Sequence, residues 1–117
     1  MKESQIQRAI MDYLAAERIP AFRMNTGAMF GSHKGKKWAV RFGQKGMADI
    51  FATPWTGRVF GGTRLSCLDH LWIEVKTAKG VQSDDQVEFQ RYVEENGMEY
   101  LLARSVDDVR EWIEMRK

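Results

Sequence analysis

The sequence predicts an α/β fold in which a mixed β-sheet is flanked by helices, and three observations lead to that prediction. Residues 3–17 place apolar side chains at helical spacing. The stretch HLWIEVKT, residues 70–77, alternates apolar and polar side chains as a half-buried strand does. After Gly80 the period becomes helical over residues 83–96, and a strand-like segment follows at 98–104. A helix that joins two strands in this way is typical of a β-α-β crossover.

The elements are predicted in the order α-β-β-β-(β)-β-α-β-α. The first helix carries Ile6, Ile10 and Leu14 on one face, and Pro20 lies just past its end. The segment TGAMFGSHKGKK, residues 26–37, contains three glycines and three lysines and is predicted to be a mobile loop. The remaining early strands are expected at 21–25, 38–42 and 48–53, with a weaker strand or hairpin edge in GRVFGG, residues 57–62.

Local sequence also predicts where the later helices begin and end. Ser83 and Gln86 have the S-x-x-Q spacing of a capping box, in which each residue hydrogen-bonds the backbone of the other. Gly97 suits the position that follows a helix C-terminus. Ser105 and Asp108 form a second N-terminal cap signature ahead of the last helix.

Size and composition indicate one domain over residues 1–117. The chain has 117 residues and is 44% hydrophobic, which suffices for a single core. A single cysteine, Cys67, excludes an internal disulfide framework and a four-cysteine zinc site. No apolar run approaches the roughly 20 residues of a membrane span, and the N-terminus lacks a signal-peptide core. We therefore expect no membrane partner and a cytoplasmic location.

Charge is distributed unevenly, although the net charge is only +2. Residues 18–48 contain seven basic residues and no acidic ones, whereas residues 81–117 contain ten acidic and five basic residues. Such asymmetry favours a basic face that meets a polyanion. The alternative is a basic surface loop without a partner.

Two strands and the first helix each bring a carboxylate that could serve a common site. Asp49 follows the turn GQKG and opens an apolar strand, Glu74 lies within HLWIEVKT, and Glu3 lies in the first helical turn. If the strands of Asp49 and Glu74 are neighbours, about 4.8 Å apart, their carboxylates can share one cation. Oxygen ligands of this kind suit Mg²⁺ or Mn²⁺, and the backbone carbonyl of Val75 is a further candidate ligand.

Lys76 shares the strand face of Glu74 and would lie beside such a cation. Its ammonium could orient or deprotonate a water molecule, or neutralise charge that develops on a phosphate. A divalent metal, an activated water and a lysine together indicate phosphodiester hydrolysis. The alternative is a plain Glu74–Lys76 ion pair on a half-exposed strand, with Asp49 as a turn acid or strand cap.

The order and spacing of these motifs resemble the VRR-NUC family of PD-(D/E)XK nucleases. The resemblance runs through ESQIQRAIMDYL near the N-terminus, GQKGMADIF, WIEVKT and the stretch GVQSDDQVEFQRYVEENGMEYLLARSVDDVREWI, and so covers nearly the whole chain. The proline that the family places before the first catalytic acid is Ala48 here. That position varies across the superfamily, so the departure is mild.

The resemblance implies a restriction-endonuclease-like core and Mg²⁺- or Mn²⁺-dependent cleavage of DNA, with kinship to Holliday-junction resolvases. Asp49 and Glu74 would be metal ligands, and Lys76 would be the catalytic lysine. Glu3 would match the family's first-helix acid, and Gln86 the glutamine on the helix after the E-x-K strand. Small stand-alone, virus-type members act as homodimers on branched DNA, which places such a protein in a bacterial or phage-infected cell.

Several of these residues also have simpler interpretations. Gln86 could merely complete the capping box, and Glu3 could merely complement the helix dipole. Trp72, on the strand face of Glu74, is expected beneath the first helix. The residues predicted to contact DNA phosphates are Lys34, Lys36, Lys37, Arg41 and Lys45.

Two rival functions remain open at this point. The basic segment would suffice for a nucleic-acid-binding module without catalysis, which would have no reason to place Asp49 and Glu74 together. A bland α/β interaction domain would bind neither metal nor DNA.

Overall fold

The computed structural model describes residues 1–24, 28–33, 35–41 and 45–117, and for residues 28–33 and 36–41 it describes the backbone alone. Within these ranges the chain forms three helices and eight strands. Their bounds are α1 (Glu3–Ala16), β1 (Ala21–Arg23), β2 (Ala28–His33), β3 (Lys36–Arg41), β4 (Ile50–Ala52), β5 (Trp55–Phe60), β6 (Thr63–Leu68), β7 (Leu71–Val75), α2 (Asp84–Glu95), β8 (Glu99–Ala103) and α3 (Val106–Glu114).

Four strands form the central mixed sheet, in the order β1-β4-β7-β8. The pairs β1–β4 and β4–β7 are antiparallel, and Ile50 lies opposite Ile73 in the second pair. Strands β7 and β8 are parallel and are joined through α2, which confirms the predicted β-α-β crossover. The strand that follows Asp49 and the strand of Glu74 are neighbours, so the condition for a shared site is met.

The two faces of the sheet pack against different helices. Ile6, Ile10 and Leu14 of α1, together with Val109 and Ile113 of α3, join the core that covers one face. The sheet residues in that core are Ile50, Ala52, Leu71, Ile73, Val75 and Ala103. Alternation along β7 therefore directs Leu71, Ile73 and Val75 toward α1 and α3, and Trp72 and Glu74 toward the other face.

Helix α2 covers the face that carries Glu74, and here one expectation is wrong. Trp72 packs edge-on against Phe89 of α2, with 5.1 Å between ring centroids, and donates a hydrogen bond from Nε1 to Sδ of Met98. It does not lie beneath α1, because alternation along β7 gives α1 the opposite face of the sheet. The crossover helix takes the face of Trp72 and Glu74.

Two hairpins extend from the sheet at opposite ends of its strands. The first lies between β1 and β4 in the chain, and the second between β4 and β7. Strands β2 and β3 pair from Ala28–Arg41 to His33–Lys36, so residues 28–33, predicted as loop, form a strand instead. Strands β5 and β6 pair across the turn at Gly61 and Gly62, both with positive φ. The weak GRVFGG strand is thus confirmed as half of a hairpin.

The predicted order of elements is found with two additional strands, β2 and β6. No helix in the described part of the chain is both long and apolar enough to cross a membrane.

Candidate active site

Asp49 and Glu74 meet at one edge of the sheet because their strands run in opposite directions. Asp49 directly precedes β4, and Glu74 is the penultimate residue of β7. The register Ile50–Ile73 therefore brings the start of β4 beside the end of β7. The hairpin of β2 and β3 leaves from this same edge, between the end of β1 and Asp49.

Backbone contacts hold Asp49 in place from both sides. Its carbonyl accepts a hydrogen bond of 2.7 Å from the amide of Met24. Its Oδ2 accepts one of 2.8 Å from the amide of Val75, the residue between Glu74 and Lys76. The side chain of Asp49 thus bridges the start of β4 to β7 through Oδ2. The side chain of Val75 is buried in the core, and the proposed role of its carbonyl stays a prediction.

Glu74 is a buried acid with an incomplete set of partners. The residue is only 2% exposed. Its Oε1 accepts a hydrogen bond of 2.9 Å from Nε2 of Gln86, while its Oε2 is buried without a partner among the described residues. Burial first, and then the charge of Asp49, raise the pKa of Glu74 to about 8, although Lys76 acts in the opposite direction. A cation bound beside Glu74 would favour its charged form.

Lys76 brings an ammonium close to Glu74. Its Nζ lies 3.9 Å from Oε1 of Glu74, and its side chain is 13% exposed. This distance is at the outer limit of an ion pair, so the ammonium is close enough to influence Glu74 without fully neutralising it. Lys76 therefore lies where a lysine could act on a molecule bound at the two carboxylates.

Gln86 completes the capping box and also contacts Glu74, so the two interpretations are compatible and the active-site role stays a prediction. Its side-chain Oε1 accepts a hydrogen bond of 2.9 Å from the backbone amide of Ser83. Its backbone amide donates one of 3.2 Å to Oγ of Ser83, which confirms the capping box. Its Nε2 is then free to donate to Glu74. The cap fixes the side chain of Gln86, and the fixed side chain orients the carboxylate.

Glu3 lies at the first position of α1 and is exposed. Burial and then Asp49 raise the pKa of Glu74 more than the charge of Glu3 does. Among the side chains that the structure describes, no three His, Cys, Asp or Glu residues are grouped so as to hold a metal ion. The role of Glu3 as a metal ligand therefore stays a prediction.

This donor set fits a divalent metal that retains waters. Mg²⁺ typically uses one or two carboxylates and several water molecules, so a third side-chain ligand is not required. The buried, unpartnered Oε2 of Glu74 is the specific observation that supports the fit, because burying a polar atom without a partner is costly. A cation at this position would satisfy that oxygen and offset the repulsion between the carboxylates.

Of the five predicted phosphate contacts, the structure describes the side chain of Lys45 alone. Lys34 falls outside the described residues, and Lys36, Lys37 and Arg41 belong to β3, where the backbone alone is described. Lys45 is 72% exposed, and its Nζ lies 3.2 Å from Oδ2 of Asp85 at the start of α2. An exposed pair of this kind is weak, so Lys45 can exchange Asp85 for a phosphate at little cost.

Gly46 fixes the turn that delivers Asp49 to the site. Its φ of +80° is favourable for glycine, and a Cβ built there would lie 2.3 Å from the backbone carbonyl oxygen of Asp85. The turn therefore packs directly on the first turn of α2, which also carries Gln86. This contact holds the turn before Asp49 against the start of α2, where Gln86 lies.

One polar network near the site was missed by sequence reasoning. Nε2 of Gln82 donates to Oη of Tyr100 at 3.1 Å and to Oε1 of Gln90 at 3.0 Å. Burial and the charge of Glu74 raise the pKa of Tyr100, so this phenol stays protonated. Gln82, Gln86 and Gln90 recur every four residues, and that period could have indicated a shared polar face.

No family model, curated protein or solved structure matches the chain.

Proposed function

We propose that the chain is a divalent-metal-dependent endonuclease that hydrolyses phosphodiester bonds in DNA. The observation that carries the proposal is the pairing of Asp49 with the buried Glu74 at one sheet edge, with Lys76 3.9 Å from Glu74. The resemblance to VRR-NUC nucleases of the PD-(D/E)XK superfamily points to the same chemistry, and a restriction-endonuclease-like core is part of this proposal. The mixed sheet with α1 and α3 on one face and α2 on the other is compatible with such a core.

Asp49 and Glu74 would hold Mg²⁺ or Mn²⁺, with Glu3 and the carbonyl of Val75 as additional candidate ligands. When bound, the ion would polarise the scissile phosphate and make water more acidic. Asp49 is held for this task by the amide of Val75, and Glu74 by Gln86. In each case this positioning contact uses one carboxylate oxygen, and the metal would bind through the other.

Lys76 would act on the substrate side of the two acids. Its ammonium can donate a hydrogen bond to the attacking water or to a nonbridging phosphate oxygen, and it adds positive charge where negative charge develops. The low exposure of its side chain strengthens that electrostatic contribution, since solvent screens it less. Lys76 therefore serves orientation and charge stabilisation in this proposal.

The proposed substrate is branched DNA such as a Holliday junction, and the proposed active form is a homodimer. A symmetric four-way junction needs two cuts, and a two-fold pair of protomers supplies two sites. The hairpin of β2 and β3 leaves from the site edge, and its sequence carries Lys34, Lys36, Lys37 and Arg41, so phosphate contacts there would flank the scissile bond. Backbone contacts of this type favour recognition of DNA shape over base sequence.

The deciding experiment compares labelled Holliday junctions, splayed arms and linear duplex, each incubated with Mg²⁺, Mn²⁺ or EDTA. We expect metal-dependent cleavage of the branched substrates, with Asp49→Ala and Lys76→Ala reducing the rate by at least about a hundredfold. Arg91→Gln is a matched control, since Arg91 pairs with Glu88 on the exposed side of α2. Circular dichroism and salt-dependent DNA binding should be nearly unchanged in all three variants.

Cleavage that survives both site substitutions would contradict the site assignment. Salt-dependent DNA binding with no Mn²⁺ uptake in calorimetry and no cleavage would instead favour the non-catalytic nucleic-acid-binding module. Sedimentation of the protein alone and with a junction tests the homodimer separately. Cleavage by a protein that sediments as a monomer would contradict that part of the proposal.

A further inference from the structure

One arginine outside the predicted site holds the loop that follows Lys76. Residues 76–83 connect β7 to α2, and Nη1 of Arg104 donates hydrogen bonds to three carbonyls of this loop. The distances are 2.6 Å to Thr77, 3.3 Å to Ala78 and 2.8 Å to Gly80. One positive charge thus gathers three carbonyl dipoles within four residues, a stronger arrangement than neutral hydrogen bonds would give.

The backbone around Arg104 is itself fixed to the same region. The carbonyl of Ala103 accepts a hydrogen bond of 3.0 Å from the amide of Lys76, which extends the parallel β7–β8 ladder by one residue. The amide of Arg104 donates to Oδ2 of Asp108 at 2.8 Å, in the first turn of α3. Arg104 therefore starts from a rigid position and can hold the loop, even though its own side chain is exposed.

The held loop lies directly against the side chain of Lys76. A Cβ built on Gly80 would lie 3.3 Å from both Cβ and Cδ of Lys76, so the glycine backbone rests on the aliphatic stem of the lysine. Residue Gly80 is also one of the three whose carbonyls Arg104 binds. Arg104 therefore contacts Gly80, and Gly80 contacts the side chain of Lys76. The ammonium of Lys76 in turn lies near Glu74.

We propose that Arg104 is a positioning residue for Lys76: by clamping the carbonyls of Thr77, Ala78 and Gly80 it presses Gly80 against the lysine stem and directs the ammonium toward Glu74. The expected effect of Arg104 on the cleavage rate rests on the proposed nuclease function. The clamp itself is a statement about the metal-free protein and can be tested there.

A guanidinium suits this task better than an amide or an ammonium. Its charge is permanent and its planar group is pre-organised, so little freedom is lost when it binds the loop. Lysine would supply the charge with a weaker and more mobile contact, and glutamine would supply neither the charge nor the reach. The order of function expected for residue 104 is therefore Arg, then Lys, then Gln.

The test uses Arg104→Gln, Arg104→Lys and the control Arg91→Gln in the full chain. In metal-free protein, the nuclear Overhauser effect between Hα of Gly80 and the side-chain methylenes of Lys76 should be strong in the parent and in the control. We expect it to be lost in Arg104→Gln and weakened in Arg104→Lys. In the Mn²⁺ cleavage assay, Arg104→Gln should lower the rate by about 10–100-fold, and Arg104→Lys by less.

Chemical rescue separates positioning from general destabilisation. Ethylguanidinium at millimolar concentration should restore part of the cleavage rate of Arg104→Gln and leave Lys76→Ala inactive. If Arg104→Gln does not fold, the same measurements on Arg104→Lys decide the question. An unchanged Gly80–Lys76 contact in the variants overturns the proposal, as does a lost contact accompanied by a parental cleavage rate. If the parent chain cuts no DNA, the nuclease proposal fails, while the metal-free measurement still decides whether Arg104 positions Lys76.

Discussion

Two buried carboxylates lie at opposite ends of β7, and their surroundings differ in kind. Asp69 is 6% exposed. It accepts a hydrogen bond of 2.5 Å from Oγ1 of Thr56 and forms an ion pair with Arg58. Glu74, 2% exposed, has one amide donor and a distant ammonium, and a second carboxylate lies beside it. The first acid fastens the hairpin of β5 and β6 to the sheet.

The contrast separates an acid that the described residues fully pair from one that they pair only in part. A buried carboxylate that is paired with a guanidinium and a hydroxyl holds structural elements together and needs no further partner. A buried charge with a like charge nearby and an unpartnered oxygen costs stability unless a ligand supplies what is missing. The ends of one strand therefore carry opposite roles, and substitutions at each should change stability in opposite directions.

The largest effect is expected from pH acting on Glu74 in metal-free protein. The ordinary pKa of the carboxyl is 4.5, and burial and Asp49 raise it to about 8 in the folded state. Between these values the unfolded state releases the proton first, so the free energy of unfolding should fall by up to roughly 1.4 kcal/mol per pH unit as pH rises. Denaturant titrations in EDTA from pH 4 to 9 measure this slope. Glu74→Gln should flatten the slope and be more stable than the parent at pH 8.

Removal of the other acid should act in the opposite direction and destabilise the fold. Asp69→Ala leaves Thr56 and Arg58 without their shared partner, and we expect a loss of about 3 kcal/mol, near the lower end for broken buried pairs because Arg58 is exposed. Urea unfolding at pH 7 is the measurement. Equal destabilisation by Glu74→Gln and Asp69→Ala at pH 8 would erase the distinction between the two acids.

Divalent metal should stabilise the molecule through Asp49 and Glu74, and not through Asp69. At a free Mn²⁺ concentration of 100 times the Kd, binding to the folded state adds about 2.7 kcal/mol, which raises Tm measurably. We expect no such shift in Glu74→Gln or Asp49→Asn. The conservative Asp69→Asn, scanned with and without Mn²⁺, should retain a parental shift from a lower starting Tm. A shift that persists without Glu74 would place the metal elsewhere.

The smallest stability effect is expected at Lys45. Its pair with Asp85 is exposed on both sides, so Lys45→Ala should change the free energy of unfolding by no more than about 0.5 kcal/mol. DNA binding should nevertheless weaken, with a reduced dependence on salt concentration, because one phosphate contact is removed. Fluorescence anisotropy at several salt concentrations tests this, and an unchanged salt slope would remove Lys45 from the DNA-contacting set.

Sequence reasoning was most successful where the determining contacts are local. The box of Ser83 and Gln86 and the cap of Ser105 span three residues each, and both are present in the structure. It was less successful for β2, AMFGSH, and β6, TRLSCL, where apolar and polar residues do not alternate along the whole strand. Gly61 and Gly62 did indicate a turn, but a turn alone does not identify the strand that returns from it.

The sequence by itself determined that Glu74 and Lys76 share a face, that Asp49 begins a strand after a glycine turn, and that Gln86 caps a helix. Each follows from a backbone period or from contacts within a few residues. Only the tertiary structure decided that α2 covers this face, that Asp49 bonds the amide of Val75, and that Arg104 holds the loop after Lys76. These contacts join residues 24–27 positions apart, and their geometry depends on strand order and register, which local pattern does not encode.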